Sequence, residues 1–308
     1  MAYNISNLDS SLKNYVDGNK AELVSKAIFS AKSTGFMSLQ TGVKAQCPIV
    51  VMDDNVVFQN GSNCGFNASG DTTFTDRMLD PAFIKINKAW CDKTFLKTYA
   101  NNEVRVGAGK EQMPFEELIT SNLIKKIGKE LEKLIWNGDK TNGTGNMALL
   151  DGILTLMAAD ITSTAIPAGN VQAKGSDNVY TRATKLWNAL PSDIIDDCAI
   201  IMGTDKFRAM VSEILAMNNY HLVVNYEKGK YEMTIPYTNI TVYGITGLDG
   251  VDKIIATPWA NFFYGVDAED DSEVFDLWYS KDDRLFKFDC EFAAAINYAV
   301  PEYIYVNQ

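Results

Sequence analysis

One segment constrains the fold of this chain more than any other, the run from Pro114 to Asn137. Its apolar residues recur every three or four positions, the spacing that places them on one side of an α-helix: Phe115, Leu118, Ile119, Leu123, Ile127, Leu131, Leu134 and Ile135. Pro114 suits the first turn of a helix. Glu116 and Glu117 precede several lysines, an order that the helix dipole favours. The pattern predicts a single helix about 36 Å long, at 1.5 Å per residue.

The sequence before this helix divides into two stretches of different composition. Residues 1–45 are predicted to form an N-terminal arm with one helical stretch, near residues 21–29, whose apolar positions share a side. Residues 46–110 instead combine short apolar runs with turn-forming residues: 49–52, 56–58 and the glycine-rich stretch 60–70. This part is too rich in glycine to build its own core. It therefore predicts an extended two-stranded projection.

Residues 151–270 are predicted to form a compact α/β section. One helix covers residues 182–190, and a second is capped by Thr204-Asp205 and stops at Asn218-Asn219. The predicted strands are short apolar runs: 199–202, 233–235, 240–243 and 261–266. Together with the long helix, these elements give the fold class α+β.

The C-terminal part predicts a β-hairpin with one buried face. A strand over residues 274–279 turns through 280–283 into a second strand over 285–292. The second strand alternates strictly between apolar and charged residues. Its buried face is predicted to carry Phe286, Phe288, Cys290 and Phe292, and its other face Lys287, Asp289 and Glu291.

Charge and histidine content exclude several classes of function. The 308 residues include 28 Lys and Arg against 39 Asp and Glu, a formal net charge of −11. This balance disfavours a protein that grips nucleic acid through its overall field. The single histidine, His221, leaves no zinc site with two imidazoles, and its place at a predicted helix end favours a capping or packing role. Ten acidic and three basic residues lie between 267 and 291, so the negative charge is concentrated there.

Cysteine usage and hydropathy favour a chain that stays in a reducing compartment. The five cysteines are odd in number and form no CxxC motif, which predicts buried free thiols: Cys47, Cys64, Cys91, Cys198 and Cys290. The N-terminus has no signal-peptide pattern. No stretch reaches the roughly 18 apolar residues that a membrane helix needs.

Three patterns suggest binding sites, but in each one the residues at the required positions, or the directions of the side chains, do not match what the site needs. Residues 138–143 space two glycines like a phosphate-binding loop, but Thr144 stands where lysine is required. Residues 267–273 are acidic enough for calcium, but Ser272 and Trp278 occupy the glycine and glutamate positions. The adjacent aspartates point to opposite faces of an extended chain: Asp53-Asp54, Asp196-Asp197 and Asp282-Asp283. The sequence therefore predicts no catalytic, cofactor-binding or metal-binding residues.

Several motifs, taken in order, resemble one family. Phe74-Thr-Asp-Arg-Met-Leu-Asp80 and residues 85–96 are similar to the return of the extended loop in capsid proteins of some Bacteroidetes-infecting phages. Residues 113–139 resemble the family's spine helix, 150–154 its usual sequel, and 286–305 its returning strands. The whole order of parts resembles the major capsid protein of tailed bacteriophages, with the Hong Kong 97-type fold that encapsulins also use.

The resemblance implies a division of the chain and a role for it. The implied parts are an N-terminal arm (1–45), an extended loop (46–110), a peripheral domain with the spine helix (111–150), an axial domain (151–270) and strands that return to both domains (271–308). The implied protein is a structural subunit, without cofactor, enzymatic activity or membrane association. It would form hexamers and pentamers that close an icosahedral head, assembled in the host bacterial cytoplasm.

The resemblance also implies partners. Portal, scaffold and decoration proteins are expected, and the head would enclose double-stranded DNA without sequence-specific binding. The lysine and asparagine that cross-link subunits in some relatives have no match here, so we expect no covalent mesh.

Two alternatives stay open at the level of sequence. An encapsulin-type compartment has the same fold and packages an enzyme instead of a genome. A soluble α/β enzyme that works through aspartates and a metal would need converging carboxylates, whereas the sequence offers adjacent ones.

Overall fold

The computed structural model consists of a body built on two β-sheets and a long helix, with a two-stranded hairpin attached to it. It describes residues 5–60, 65–66, 68–94, 97, 115–217, 224–225, 231–236, 238–267 and 274–308. The helices are α1 (Ile5–Ile28), α2 (Phe115–Asn137), α3 (Ile153–Ser163), α4 (Val179–Ala189) and α5 (Thr204–Ala216). The strands are β1 (Ser38–Gln40), β2 (Cys47–Asp54), β3 (Thr72–Leu79), β4 (Ala82–Cys91), β5 (Val171–Gln172), β6 (Cys198–Gly203), β7 (Val224–Asn225), β8 (Glu232–Thr234), β9 (Thr241–Ile245), β10 (Ile254–Pro258), β11 (Phe262–Val266), β12 (Val274–Ser280), β13 (Leu285–Tyr298) and β14 (Tyr305–Asn307).

The predicted C-terminal hairpin is the centre of a five-stranded sheet. The long strand β13 pairs antiparallel with β12, β4 and β11, and β1 adds parallel to β11. Phe286, Phe288, Cys290 and Phe292 are buried on one face, which confirms the predicted alternation. Helices α1 and α2 pack against this sheet and contribute to the same hydrophobic core.

A second, seven-stranded mixed sheet has the order β5-β14-β10-β6-β9-β8-β7. Strand β6 is buried at every residue, and α4 and α5 pack with it in a second core. The helices and strands predicted within residues 151–270 are confirmed to within a few residues of their ends, but the strand predicted over 261–266 is β11 and belongs to the five-stranded sheet. Strand β10 was not predicted, because five apolar and small residues give no periodicity to recognise.

The N-terminal helix is longer than predicted. It begins at Ile5 instead of near residue 21, and it contributes Leu8, Leu12 and Val16 to the core. It lies against β12 and α2. The prediction was wrong because Asn, Ser and Lys dominate its first half, so the apolar stripe is narrow.

The spine helix α2 confirms the prediction of a helix ending at Asn137. Gly128 costs such a helix about 1 kcal/mol relative to alanine. The structure gives the reason for it, since a Cβ there would lie 2.6 Å from Ser30 O and 2.7 Å from Ser30 Cβ. The glycine thus lets the chain just after α1 lie directly on the spine helix.

The short apolar run at residues 56–58 lies outside the β2–β3 ladder, which ends at the pair Asp54 and Thr72. One local prediction needs correction. Thr204-Asp205 was predicted to cap α5, but the N-cap residue is Gly203, which has no side chain, and Asp249 Oδ1 accepts the hydrogen bond from Thr204 N at 2.7 Å instead. A partner 45 positions away leaves no local signal.

Candidate functional site

In the glycine-rich loop at 138–143, backbone N–H groups donate hydrogen bonds to carboxylates of the same chain. Asp139 Oδ1 accepts hydrogen bonds from Thr141 N and Asn142 N, both at 2.8 Å, and these bonds lower the pKa of that carboxyl. Lys140 N donates to Asp151 Oδ1 at 2.8 Å. A phosphate would need those N–H groups free, so the geometry agrees with a closed surface loop.

The other candidate patterns do not converge on a site. Asp53 and Asp54 are exposed on β2, Asp196 binds Asn239 Nδ2 at 2.7 Å, and Asp283 pairs with Lys287. His221 and residues 268–273 lie outside the described residues. Within the described ranges there is no cluster of three or more His, Cys, Asp or Glu side chains suited to a metal, and no helix long and apolar enough to cross a membrane.

The cysteines depart in part from the prediction of buried thiols. Cys198 and Cys290 are buried, whereas Cys47 is half-buried and Cys91, at the end of edge strand β4, is exposed. Burial raises the pKa of the Cys198 thiol to about 12, with a smaller effect from the charge of Asp197. Cys64 lies outside the described residues.

The most unusual surface of the molecule is one face of the β2–β3 hairpin. The register pairs Met52 with Phe74, Val50 with Asp76 and Pro48 with Met78, so these side chains share a face that is apolar apart from Asp76. Val50, Met52, Phe74 and Met78 are all exposed, and Phe74 is 67% exposed. Beyond the ladder, Val56, Val57, Phe58 and Phe66 are exposed as well, with Phe58 95% exposed. We call these eight residues the hairpin apolar face.

The opposite face of the hairpin is anchored to the body at its base. Leu79 and Ile49 are buried in a small cluster with Val43 and Ala295. Gly265 lies beneath them, and a Cβ there would come within 3.2 Å of Val43. The hairpin is therefore fixed at one end and presents apolar side chains along the rest.

Polar contacts reinforce the base. Arg77 forms an ion pair with Asp160 at 2.7 Å. Asp80, just after β3, forms an ion pair with Lys140 at 2.5 Å, and the hydrogen bond from that lysine lowers the pKa of the Asp80 carboxyl. Sequence reasoning predicted neither ion pair, since the two members of each pair lie far apart in the chain.

A groove of about 360 Å³ runs between α2 and the edge strand β4. Its floor is apolar, formed by side chains such as Ile84, Leu123 and Ile127. Lys88 and Lys126 lie on its rim. The predicted helical stripe of α2 thus serves the core along most of its length and lines this groove where β4 leaves it uncovered.

The comparisons with known proteins identify the fold. No protein-family model matches the sequence, and no curated protein matches it. Among solved structures, a chain of the satellite phage P4 procapsid that includes the size-determination protein shares 10% identity, with a TM-score of 0.62 over 94% of this chain and 90% of that one.

Two further structures agree. A capsid chain of the empty GTA particle gives a TM-score of 0.60 at 9% identity, covering 90% of this chain and 89% of that one. A chain of the cyanophage A-1(L) capsid gives 0.56 at 11% identity, covering 89% of this chain and 91% of that one. The chain therefore has the Hong Kong 97-type capsid fold, as its sequence resemblance implied.

Proposed function

We propose that this chain is the structural subunit of a tailed-bacteriophage head, which self-assembles as hexamers and pentamers into an icosahedral shell. The observation that carries the proposal is the hairpin apolar face, an exposed apolar surface on a chain whose fold is shared with phage capsid proteins. An exposed apolar patch of this kind typically marks a protein–protein contact.

A second copy of the chain is the partner that fits this surface. Burying an exposed Phe or Met side chain at a contact contributes about 1.5–3 kcal/mol. In the proposed contact, the hairpin apolar face of one copy lies against the groove beside α2 of the next copy. These are two different surfaces of the chain, so the contact is heterologous. Repeated around an axis, heterologous contacts close into rings such as hexamers and pentamers.

Charge supports the same pairing. Asp53 and Asp54 flank the apolar end of the hairpin and are exposed, while Lys88 and Lys126 lie on the rim of the groove. Complementary charges of this kind guide encounter and fix register more than they add affinity. The volume of the groove, about 360 Å³, is within the range of sites that enclose small ligands. A groove of this volume can hold an aromatic side chain.

The division of the chain predicted from its sequence belongs to this proposal: arm 1–45, extended loop 46–110, peripheral domain 111–150, axial domain 151–270 and returning strands 271–308. Portal, scaffold and decoration proteins are its proposed partners, and the host bacterial cytoplasm its place of assembly. The net charge of −11 favours enclosing double-stranded DNA without gripping it. Tight, salt-sensitive binding of DNA to purified shells would contradict that point.

The proposal is tested by measuring the mass and shape of the full-length chain expressed alone. Light scattering and negative-stain microscopy on the same chromatographic peak are expected to show capsomers, sheets or closed shells. Denaturing gels of those particles are expected to show one band near 34.1 kDa. A concentration-independent monomer that binds a divalent metal or a small ligand tightly would contradict the proposal.

A further inference from the structure

One side chain at the base of the hairpin contacts two other elements. Arg77 of β3 forms an ion pair through Nη1 with Asp160 Oδ2 of α3 at 2.7 Å. Its guanidinium carbon also lies 4.3 Å from the centre of the Tyr298 ring, at the end of β13. The Tyr298 hydroxyl donates to the same Asp160 oxygen. Arg77, Asp160 and Tyr298 thus form a closed triangle between three elements.

Asn297 adds a contact between the body and the backbone of β3. Its Nδ2 donates to Met78 O at 2.7 Å, next to Arg77 in the chain. Asn297 and Tyr298 are both buried, so neither exchanges these contacts for water without local opening. Burial, reinforced by the bond to Asp160, raises the pKa of Tyr298, so its hydroxyl stays a donor at neutral pH.

These contacts sit where a small rotation has a large effect. Strand β3 contacts β13 of the body, and β2 pairs with β3. A rotation of β3 at its base would therefore carry β2 with it. A strand of eight residues such as β2 spans about 26 Å at about 3.3 Å per residue. A rotation of roughly 10° at the base therefore moves the far end by about 5 Å on that geometry.

We propose that Arg77 is a positioning residue that sets the direction of the hairpin, and thereby the curvature at which copies of the chain meet. The curvature part rests on the proposed function, whereas the direction of the hairpin does not. Arginine suits this role because its planar group stacks on an aromatic ring while it donates to a carboxylate. Lysine lacks that planar group.

The test measures the direction of the hairpin in the full-length chain. Nitroxide labels on unnatural amino acids replace Asp53 at the hairpin and Lys129 on α2, both exposed, and pulsed electron resonance gives their distance distribution. We expect a narrow distribution for the wild type and one at least twice as wide for Arg77→Met. Amide hydrogen exchange along β3 should rise about ten-fold, the loss expected for one hydrogen bond to a charged group.

Two further variants separate positioning from general stability. Arg208 also lies over an aromatic ring, 5.5 Å from the centre of Tyr231, and belongs to α5. Arg208→Met should leave the hairpin distance and the β3 exchange unchanged. Arg77→Lys should give a distance distribution wider than that of the wild type but narrower than that of Arg77→Met. If Arg77→Met fails to fold, Tyr298→Phe, which removes one hydroxyl, should still widen the distribution.

The outcomes distinguish this proposal from the proposed function. An unchanged distance distribution and unchanged β3 exchange in both Arg77→Met and Tyr298→Phe would overturn the role of Arg77. A wide distribution together with particles of uniform, wild-type diameter would overturn the link to curvature. A wild-type chain that never assembles would count against the proposed function, while the distance measurement would still decide the role of Arg77.

Discussion

The molecule contains two antiparallel hairpins whose apolar faces have opposite fates. In the β12–β13 hairpin, Phe275, Phe286 and Phe288 are buried beneath α1 and α2. In the β2–β3 hairpin, Val50, Met52 and Phe74 have the same alternating spacing but remain exposed. Both faces carry large apolar side chains, although Asp76 lies opposite Val50 on the β2–β3 face. The difference is that helices of the same chain cover the face of the β12–β13 hairpin.

This contrast indicates which parts of the fold are complete in one chain. The body can be formed by a single copy, because its sheets are covered by its own helices. The hairpin apolar face has no cover in the part of the chain that the structure describes. We therefore expect substitutions in the body to lower the stability of the subunit, and substitutions on the hairpin apolar face to change assembly.

The largest effect is expected for Phe288→Ala, in the covered hairpin. Phe288 packs edge-on against Phe275, with ring centres 5.0 Å apart. Removing a buried Phe side chain leaves a cavity and should lower the free energy of unfolding by about 4 kcal/mol. Urea unfolding of the full-length chain followed by circular dichroism measures it. A loss below about 1 kcal/mol would mean that this face is not a packed core.

A smaller loss is expected for Asp252→Asn, just before strand β10 of the seven-stranded sheet. Hydrogen bonds from Lys174 and Arg182 hold the pKa of the Asp252 carboxyl well below its ordinary range. Arg182 is buried, so losing its anionic partner should cost about 2 kcal/mol at neutral pH. The pair of Asp177 and Lys185 provides the control, because its lysine is exposed whereas Arg182 is buried, and Asp177→Asn should cost less than about 0.5 kcal/mol.

The pH dependence of this pair has a defined sign. A lowered folded-state pKa means that Asp252 stabilises the chain above its unfolded-state pKa of about 3.9 and loses that contribution as the pH falls. The difference between wild type and Asp252→Asn should therefore stay constant from about pH 7 to about pH 5 and shrink as the pH falls further. A difference that grows towards low pH would contradict this assignment.

Glycines in two helices should respond with opposite signs. Gly128→Ala would place a methyl group 2.6 Å from Ser30 O, which displaces the chain end of α1, the cover of the β12–β13 hairpin. The clash should outweigh the gain in helix propensity and lower stability by about 1–2 kcal/mol. Gly18→Ala in α1 has nothing within 4 Å and should raise stability by up to about 1 kcal/mol. Thermal unfolding of both variants checks the pair, and a stabilising Gly128→Ala would show that α1 is not pressed against α2.

The smallest effect on stability is expected on the exposed hairpin. Phe74→Ser should change the free energy of unfolding by less than about 0.5 kcal/mol, as for other exposed positions. Urea unfolding of the unassembled chain, run beside Phe288→Ala, makes this comparison. A loss of several kcal/mol would show that Phe74 is covered within its own chain.

Sequence patterns predicted the parts of the fold that local periodicity determines. Helix α2 repeats its apolar stripe through Phe115–Asn137, and β13 alternates without a break from Phe286 to Phe292, so both could be recognised. Residues 56–58 have strand-forming side chains, yet a strand also needs a partner, and the ladder ends before them. Propensity alone could not supply that information.

Contacts between distant residues could not be predicted. Tyr298 and Asp160 are 138 positions apart, and no spacing rule links them to Arg77. The hairpin apolar face is an intermediate case. Its period of two is visible in Val50 and Met52, but sequence alone does not tell an outward face from a buried one.

The central claim is that a second copy covers the hairpin apolar face. Its most direct test compares the wild-type chain with Phe58→Ser/Phe74→Ser by light scattering and negative-stain microscopy at matched concentrations. We expect capsomers or shells from the wild type, and from the variant an unassembled chain with an unchanged circular dichroism spectrum. A variant that assembles with the same yield and particle size as the wild type would contradict the claim.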